Sequence, residues 1–244
     1  MKKINLGKKW RTAMASTKNA ELFNIYHKKL PLFTNLFDAE CKKLKVATLE
    51  VADFGGANGE VLGYIKQHTK TTKFLKTTCF DITPNLLKNN IWANQKFLID
   101  LREIKIKNKF DIAIMRYVLD FNILNDQQKI IKNLYRSLKK GGISTNWWCG
   151  VENYEHQLKF NEVFNTDKIS KKLIRNETFW PTWRQTSKMF HKSGFKLQKI
   201  YKFKYHFHNL YKLRYELTEE ENYNLLKYLK KYNYICFCIF TAYK

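Results

Sequence analysis

Three aspartates and a glycine-rich turn are the residues of this chain best suited to chemistry. An apolar, β-prone run from Ala47 to Val51 leads into Asp53, and Gly55-Gly56-Ala57-Asn58-Gly59 follows. Asp81 ends the next apolar run, Phe74 to Phe80, and Asp100 ends a third, Phe97 to Ile99. Glycine lets a chain bend sharply and admits a ligand to the backbone with no Cβ in the way. A helix opening there, Glu60 to Gln67, would aim its free N–H groups at that ligand. Acids at the carboxyl ends of successive strands face the crevice of an open α/β sheet, where they accept from ribose hydroxyls and an adenine amine. The chemistry indicated is the binding of a nucleotide-like cofactor.

The elements needed to hold these residues are legible in the pattern. From 46 to 150 it runs strand, helix, strand, helix, strand, strand, helix, strand. The last helix of that set starts at Asn125-Asp126-Gln127-Gln128, carries Ile130, Ile131, Leu134, Tyr135 and Leu138 on one face, and is expected to stop at Gly141-Gly142. Residues 1–45 look helical, with apolar spacing of three and four in Ala20–Tyr26 and Leu32–Phe37 and a break at Pro31. After Gly150 a charged, helical insertion is expected to about Arg175. A helix after Trp180-Pro181-Thr182-Trp183 then ends at Ser193-Gly194. Phe195 to Tyr205 alternates as a strand, Thr218 and Glu221 mark a capped helix start, and Tyr234 to Tyr243 reads as a closing strand.

At the glycine turn the chain resembles the class I S-adenosylmethionine (SAM) dependent methyltransferases, whose first motif reads Asp-x-Gly-x-Gly-x-Gly. Asp53, Gly55, Ala57 and Gly59 stand in those places, with alanine for the middle glycine and Gly56 beside it. Phe110-Asp111-Ile112-Ala113-Ile114-Met115-Arg116 resembles the family's fourth strand, and Leu138-Lys139-Lys140-Gly141-Gly142-Ile143 its helix end, turn and fifth strand. A dinucleotide fingerprint, Gly-x-Gly-x-x-Gly, would fall on Gly55, Ala57 and Glu60, and fits less well. The resemblance implies an α/β, Rossmann-like fold: a seven-stranded, mostly parallel sheet with an antiparallel last strand, helices on both faces and a helical N-terminal cap. It divides the chain into a cap (1–45), a SAM-binding core (46–150) and an insertion with closing strands on the substrate side (151–244).

The same resemblance implies that SAM is the methyl donor and S-adenosyl-L-homocysteine the product. The turn of Gly55, Gly56, Ala57 and Gly59 would approach the methionine part, with Asp53 orienting the loop or the cofactor's amino group. Asp81 and the adjoining Ile82 would hold the ribose, Asp100 and Leu101 would border the adenine, and Arg116 would complete the set. Arg116-Tyr117-Val118-Leu119-Asp120-Phe121 resembles the Arg-Asn-Val-Leu-His-Asp-Trp segment of small-molecule O-methyltransferases, with Asp120 where that family has its basic histidine. No Pro-Pro-aromatic motif follows the fourth strand, which counts against methylation of nucleobase amines. The implied acceptor is a small aromatic molecule methylated at a hydroxyl, with Tyr117, Trp147, Trp148, Trp180 and Trp183 as candidate walls. Asp120 or His156 would serve as base. His206 and His208 share a strand face without a third ligand, so no metal is expected.

Composition narrows the remaining classes. The chain has 244 residues, enough for one large α/β domain, and is 44% hydrophobic and 16% aromatic. No apolar run reaches the roughly 18 residues of a membrane helix, and no secretory signal is visible, so no membrane partner is expected. Five unpatterned cysteines read as free thiols of a reducing compartment, the cytoplasm. The formal charge of +24 makes a nucleic-acid partner, and RNA as the alternative acceptor, the second reading. Only seven of the 45 basic residues are arginine, which is what a codon bias toward lysine also produces. The oligomeric state is not legible.

Overall fold

A computed structural model describes residues 29–119, 122–164, 180–206, 220, 223, 227, 230–232 and 234–244. Their strands are β1 (Thr48–Phe54), β2 (Phe74–Asp81), β3 (Gln95–Leu98), β4 (Phe110–Arg116), β5 (Leu138–Gly150), β6 (Lys196–His206) and β7 (Tyr234–Tyr243). The helices are α1 (Leu30–Lys43), α2 (Glu60–His68), α3 (Pro84–Lys88), α4 (Leu124–Ser137), α5 (Tyr154–Phe164) and α6 (Trp183–Lys192). The strands form one seven-stranded sheet in the order β3-β2-β1-β4-β5-β7-β6. Pairing is parallel from β3 through β5, and β7 runs antiparallel to both of its neighbours. The strand order reverses between β1 and β4, and ligands of open α/β sheets bind at the carboxyl end of such a switch point.

Alternation along the strands builds two hydrophobic layers. Leu49, Val51, Ile112, Ile114, Trp147 and Ile239 face α1 and α2 through Phe33, Phe37, Leu62 and Ile65. Ala52, Phe54, Ala113, Met115, Trp148 and Phe240 face α4 and α6 through Ile130, Ile131, Leu134 and Phe190. Side chains one apart on a strand point to opposite faces, so the parallel core is covered on both sides.

Local signals explain most element ends. Pro31 sits in the first turn of α1, where its missing N–H costs nothing. Thr182 caps α6 in a reciprocal capping box with Gln185, and Gly194 at φ +100° closes it. One stop differs from expectation. Helix α4 ends at Ser137, not at Gly141-Gly142, because Leu138 is already extended and pairs with Phe110 at the start of β5. The double glycine falls within the irregular register between Phe110 and Ile112, with Gly141 at φ +76°. The helical segment at 20–26, the distal part of the insertion and the helix start at Thr218 lie outside the described residues.

Candidate active site

The carboxyl ends of β1, β2 and β4 enclose a cavity of about 390 Å³. Asp53, Gly55, Gly56, Ala57, Asp81, Ile82, Asp100, Leu101 and Arg116 all line it, as does Tyr117. Sequence distance between them is large, and the sheet brings them together because each follows a strand end.

The turn after β1 is held by its neighbours. Gly55 N–H donates to the Phe80 carbonyl at 2.8 Å. Gly55 lies at φ +74°, and a Cβ there would come within 2.5 Å of Val118 Cγ2. Ala57, in the place of the middle glycine, takes the same left-handed backbone at φ +45°. Its N–H donates to Asp81 Oδ2 at 2.9 Å, which holds a conformation disfavoured for an L side chain. Replacing Ala57 by glycine should therefore stabilise the protein by about 1 kcal/mol, a melting-temperature rise of roughly 2–4 °C. An unchanged or lower melting temperature would mean that the turn is not strained at this position.

Gly59 differs from its companions. It does not line the cavity but caps α2 at φ +83°, its N–H donating to the Gly56 carbonyl at 2.8 Å. A Cβ on Gly59 would lie 2.2 Å from Asn90 Oδ1. Asn90 is fully buried and reaches the Ala57 carbonyl through Nδ2, so it braces the turn from the α3–β3 connection. No sequence pattern flagged Asn90, because its partners are distant and its spacing is unremarkable.

The acids divide by what already occupies them. Asp81 accepts from Ala57 N–H and, through Oδ1, from Thr83 N–H at 2.8 Å, leaving lone pairs of both oxygens for a ligand. Asp100 is clamped by Arg102, whose Nε lies 2.9 Å from both carboxylate oxygens, and this bond holds its carboxyl below the usual range. Arg102 also reaches Asp126 at 2.8 Å. Asp53 is 2% exposed, and its Oδ2 has no hydrogen-bond partner among the described residues. Burial pushes its pKa up to about 7, against the pull of Arg116 and with a push from Asp81.

Arg116 spans the cavity to Glu60, Nη2 to Oε2 at 3.1 Å, while its Nη1 has no partner among the described residues. Glu60 opens α2, and its pairing with a residue so distant in sequence leaves no local signal. Tyr117 follows in a left-handed backbone at φ +52°, held by its N–H donating to the Trp147 carbonyl at 3.1 Å. A bulky residue in that conformation marks a local constraint at the cavity wall. The lining holds four carboxylates, Asp53, Glu60, Asp81 and Asp100, against the single guanidinium of Arg116.

The expected tryptophan wall is not assembled. Trp147 packs with Phe33 at 6.0 Å in one layer, and Trp148 packs with Trp183 at 5.6 Å in the other. Consecutive strand residues cannot share a face. Trp180 is fully buried against Phe160. None of the four lines the cavity, although Tyr117 stands 5.4 Å from Trp147 and links the first layer to it. His156 is also placed away from the cavity. It is buried between Tyr232, Tyr234 and Phe160, its Nδ1 accepts from Glu152 N–H at 3.2 Å, and burial lowers its pKa to about 4. Asp120 and His208 lie outside the described residues. Among the described residues no group of three or more metal-binding side chains occurs, and no helix is long and apolar enough to cross a membrane.

A family model described as a methyltransferase domain matches residues 52–144, the stretch that carries the glycine turn, all three aspartates and Arg116. Over that stretch the chain carries a methyltransferase domain. The fold recurs in solved structures of other proteins. A candidate methyltransferase of Bacillus halodurans C-125 aligns with a TM-score of 0.62 at 18% identity, over 84% of this chain and 97% of the other. Phosphoethanolamine N-methyltransferase 2 of Haemonchus contortus, solved with S-adenosyl-L-methionine, gives 0.56 at 15% identity over 86% of this chain and 52% of its own. The cyclase SpnF gives 0.58 at 12% identity over 86% and 81%. Identities this low speak to the fold of the methyltransferase domain and not to its acceptor. No curated protein matches the chain.

Proposed function

We propose that this methyltransferase binds SAM in the cavity at the ends of β1, β2 and β4 and methylates a hydroxyl of a small aromatic acceptor. The observation that carries the cofactor reading is the acid-lined cavity, where Glu60 and Asp100 are paired with Arg116 and Arg102 but Asp53 and Asp81 have no ion pair among the described residues. SAM presents a positive sulfur and an ammonium, whereas a dinucleotide would bring a negatively charged pyrophosphate among those acids. Asp53, buried with a free oxygen, suits the ammonium, and Arg116 Nη1 suits the carboxylate of the same amino-acid moiety. Asp81 retains acceptor capacity for ribose hydroxyls, and Leu101, Val118 and Ile130 offer apolar surface for a base.

SAM supplies an electrophilic methyl, so the protein's task is to align the attacking oxygen and accept its proton. Tyr117 is the aromatic wall of the acceptor side in this reading. Asp120, just beyond Leu119, is the residue nominated to take the proton; His156, buried and held neutral, is not.

Radiolabelled methyl transfer from SAM into cell extract, separated into small-molecule, RNA and protein fractions, tests this. Label is expected in the small-molecule pool. Label confined to RNA would make the net charge the better guide and the hydroxyl reading wrong.

A further inference from the structure

The strands β1, β2, β4, β5 and β6 all start at one edge of the sheet; four of the five are preceded by or open on a lysine with no ion pair among the described residues, and β5 carries Lys140 just inside its start. Lys45 precedes β1, Lys73 precedes β2, Lys109 precedes β4, Lys196 opens β6, and Lys244 follows the end of the reversed β7. All six lie at the sheet edge opposite the cavity, about 20 Å away along the strands. Strand spacing sets them along a ridge of roughly 24 Å from β2 to β6. Three acids near this edge are matched by lysines, Glu40 by Lys43 and Lys199, Glu50 by Lys76 and Asp111 by Lys139, and Asp38 is taken up by Thr69 Oγ1 and the Lys70 N–H. The six lysines have no acid partner among the described residues, although Lys73 Nζ donates to the Val46 carbonyl, Lys109 Nζ to Gln95 Oε1 and Lys244 Nζ to the Leu138 carbonyl, so their charge is uncompensated.

One exposed ring stands among these charges, and two less exposed ones lie under them. Phe74, at the start of β2 beside Lys73, is 63% exposed, an unusual place for a phenyl ring. Lys109 lies over Phe110 at 5.3 Å and Lys244 over Tyr135 at 4.9 Å.

We propose that this edge is a docking surface for single-stranded RNA, with phosphates along the lysine ridge and a base stacked on Phe74. A narrow line of charge with an open aromatic face fits a flexible polyanion, whose bases stack without sequence preference. A flat anionic membrane would call instead for a broad basic face backed by an apolar one. The RNA held here is a tether and not the methyl acceptor, because the cavity opens at the other edge.

Fluorescence anisotropy with labelled oligouridylate tests the proposal on the full chain. Binding is expected with a log–log salt slope of about −4, from six lysines at roughly 0.7 each. Phe74→Ala should weaken binding about tenfold with the slope retained. A Lys45→Gln, Lys140→Gln, Lys196→Gln protein should lose about 2 from the slope. SAM affinity, measured on the same proteins, should not move, which separates this surface from the cofactor site. Absent oligouridylate binding, full affinity in Phe74→Ala, or preferential binding to phosphatidylserine vesicles would each overturn it.

Discussion

Replacing Asp53 by asparagine will weaken SAM binding by roughly thirtyfold or more while stabilising the ligand-free protein. The carboxyl is buried with one oxygen unpartnered, and burial has raised its pKa from 3.8 to about 7. A raised carboxyl pKa means that the folded state keeps its proton after the unfolded state has lost it. Stability therefore falls as pH rises from about 4 to about 7, by up to roughly 1.4 kcal/mol per unit, and the penalty stays in full above that window. Asparagine removes the charge and with it this slope, so a gain of about 1–2 kcal/mol is expected at pH 8. Removing one partner of a buried charge pair costs about 2–5 kcal/mol of affinity, which sets the loss of binding. Calorimetric titration with SAM and melting curves at pH 5 and pH 8 measure both. Unchanged affinity would move the cofactor's ammonium away from Asp53. A lower melting temperature at pH 8 would mean that the fold needs the carboxylate itself.

The second large effect is expected at Gly55. Alanine there must adopt φ +74° and place its Cβ 2.5 Å from Val118 Cγ2. The backbone costs about 1–2 kcal/mol and the overpacking about 1–3 kcal/mol. Gly55→Ala should therefore lower the melting temperature by roughly 5–15 °C. Adding Val118→Ala should return the part due to the clash and leave the part due to the backbone. Melting curves of the two single variants and the double variant separate the contributions. If Val118→Ala rescues nothing, the contact is not what makes glycine necessary here.

The parts of the site legible in the sequence were those written locally. An apolar run that ends on an acid and a glycine turn locates the mouth of the cavity, because both signals sit in a few adjacent residues. Asn90 and the Glu60–Arg116 pair were not legible, since each depends on two segments meeting across the switch point. The tryptophans failed for a different reason. Trp147 and Trp148 were grouped by residue type, although strand alternation already requires them to face opposite layers. His156 shows the same bias: a histidine near a strand end looks chemical, but three aromatic rings around it make a packing site. The fold survived such errors because its order rests on periodicity, whereas the tryptophan grouping rested on residue type alone.

The placement of β7 has a consequence for how the chain can be made. Although β7 follows β6 in sequence, it lies between β5 and β6, with Ile143 paired to Tyr243 and Lys196 to Tyr243 on the other side. During synthesis β6 has no strand to join until β7 has left the ribosome. The half of the sheet that holds the cavity can assemble first, from contacts between β1, β2, β3, β4 and β5. The far half must wait for a pairing between distant segments, which is intrinsically slow. Until then β5 is an open edge of apolar residues, the kind of surface that recruits chaperones or other copies of itself. A nascent or truncated chain ending before Tyr234 would thus keep the residues of the cofactor cavity beside an unpaired strand edge open to aggregation.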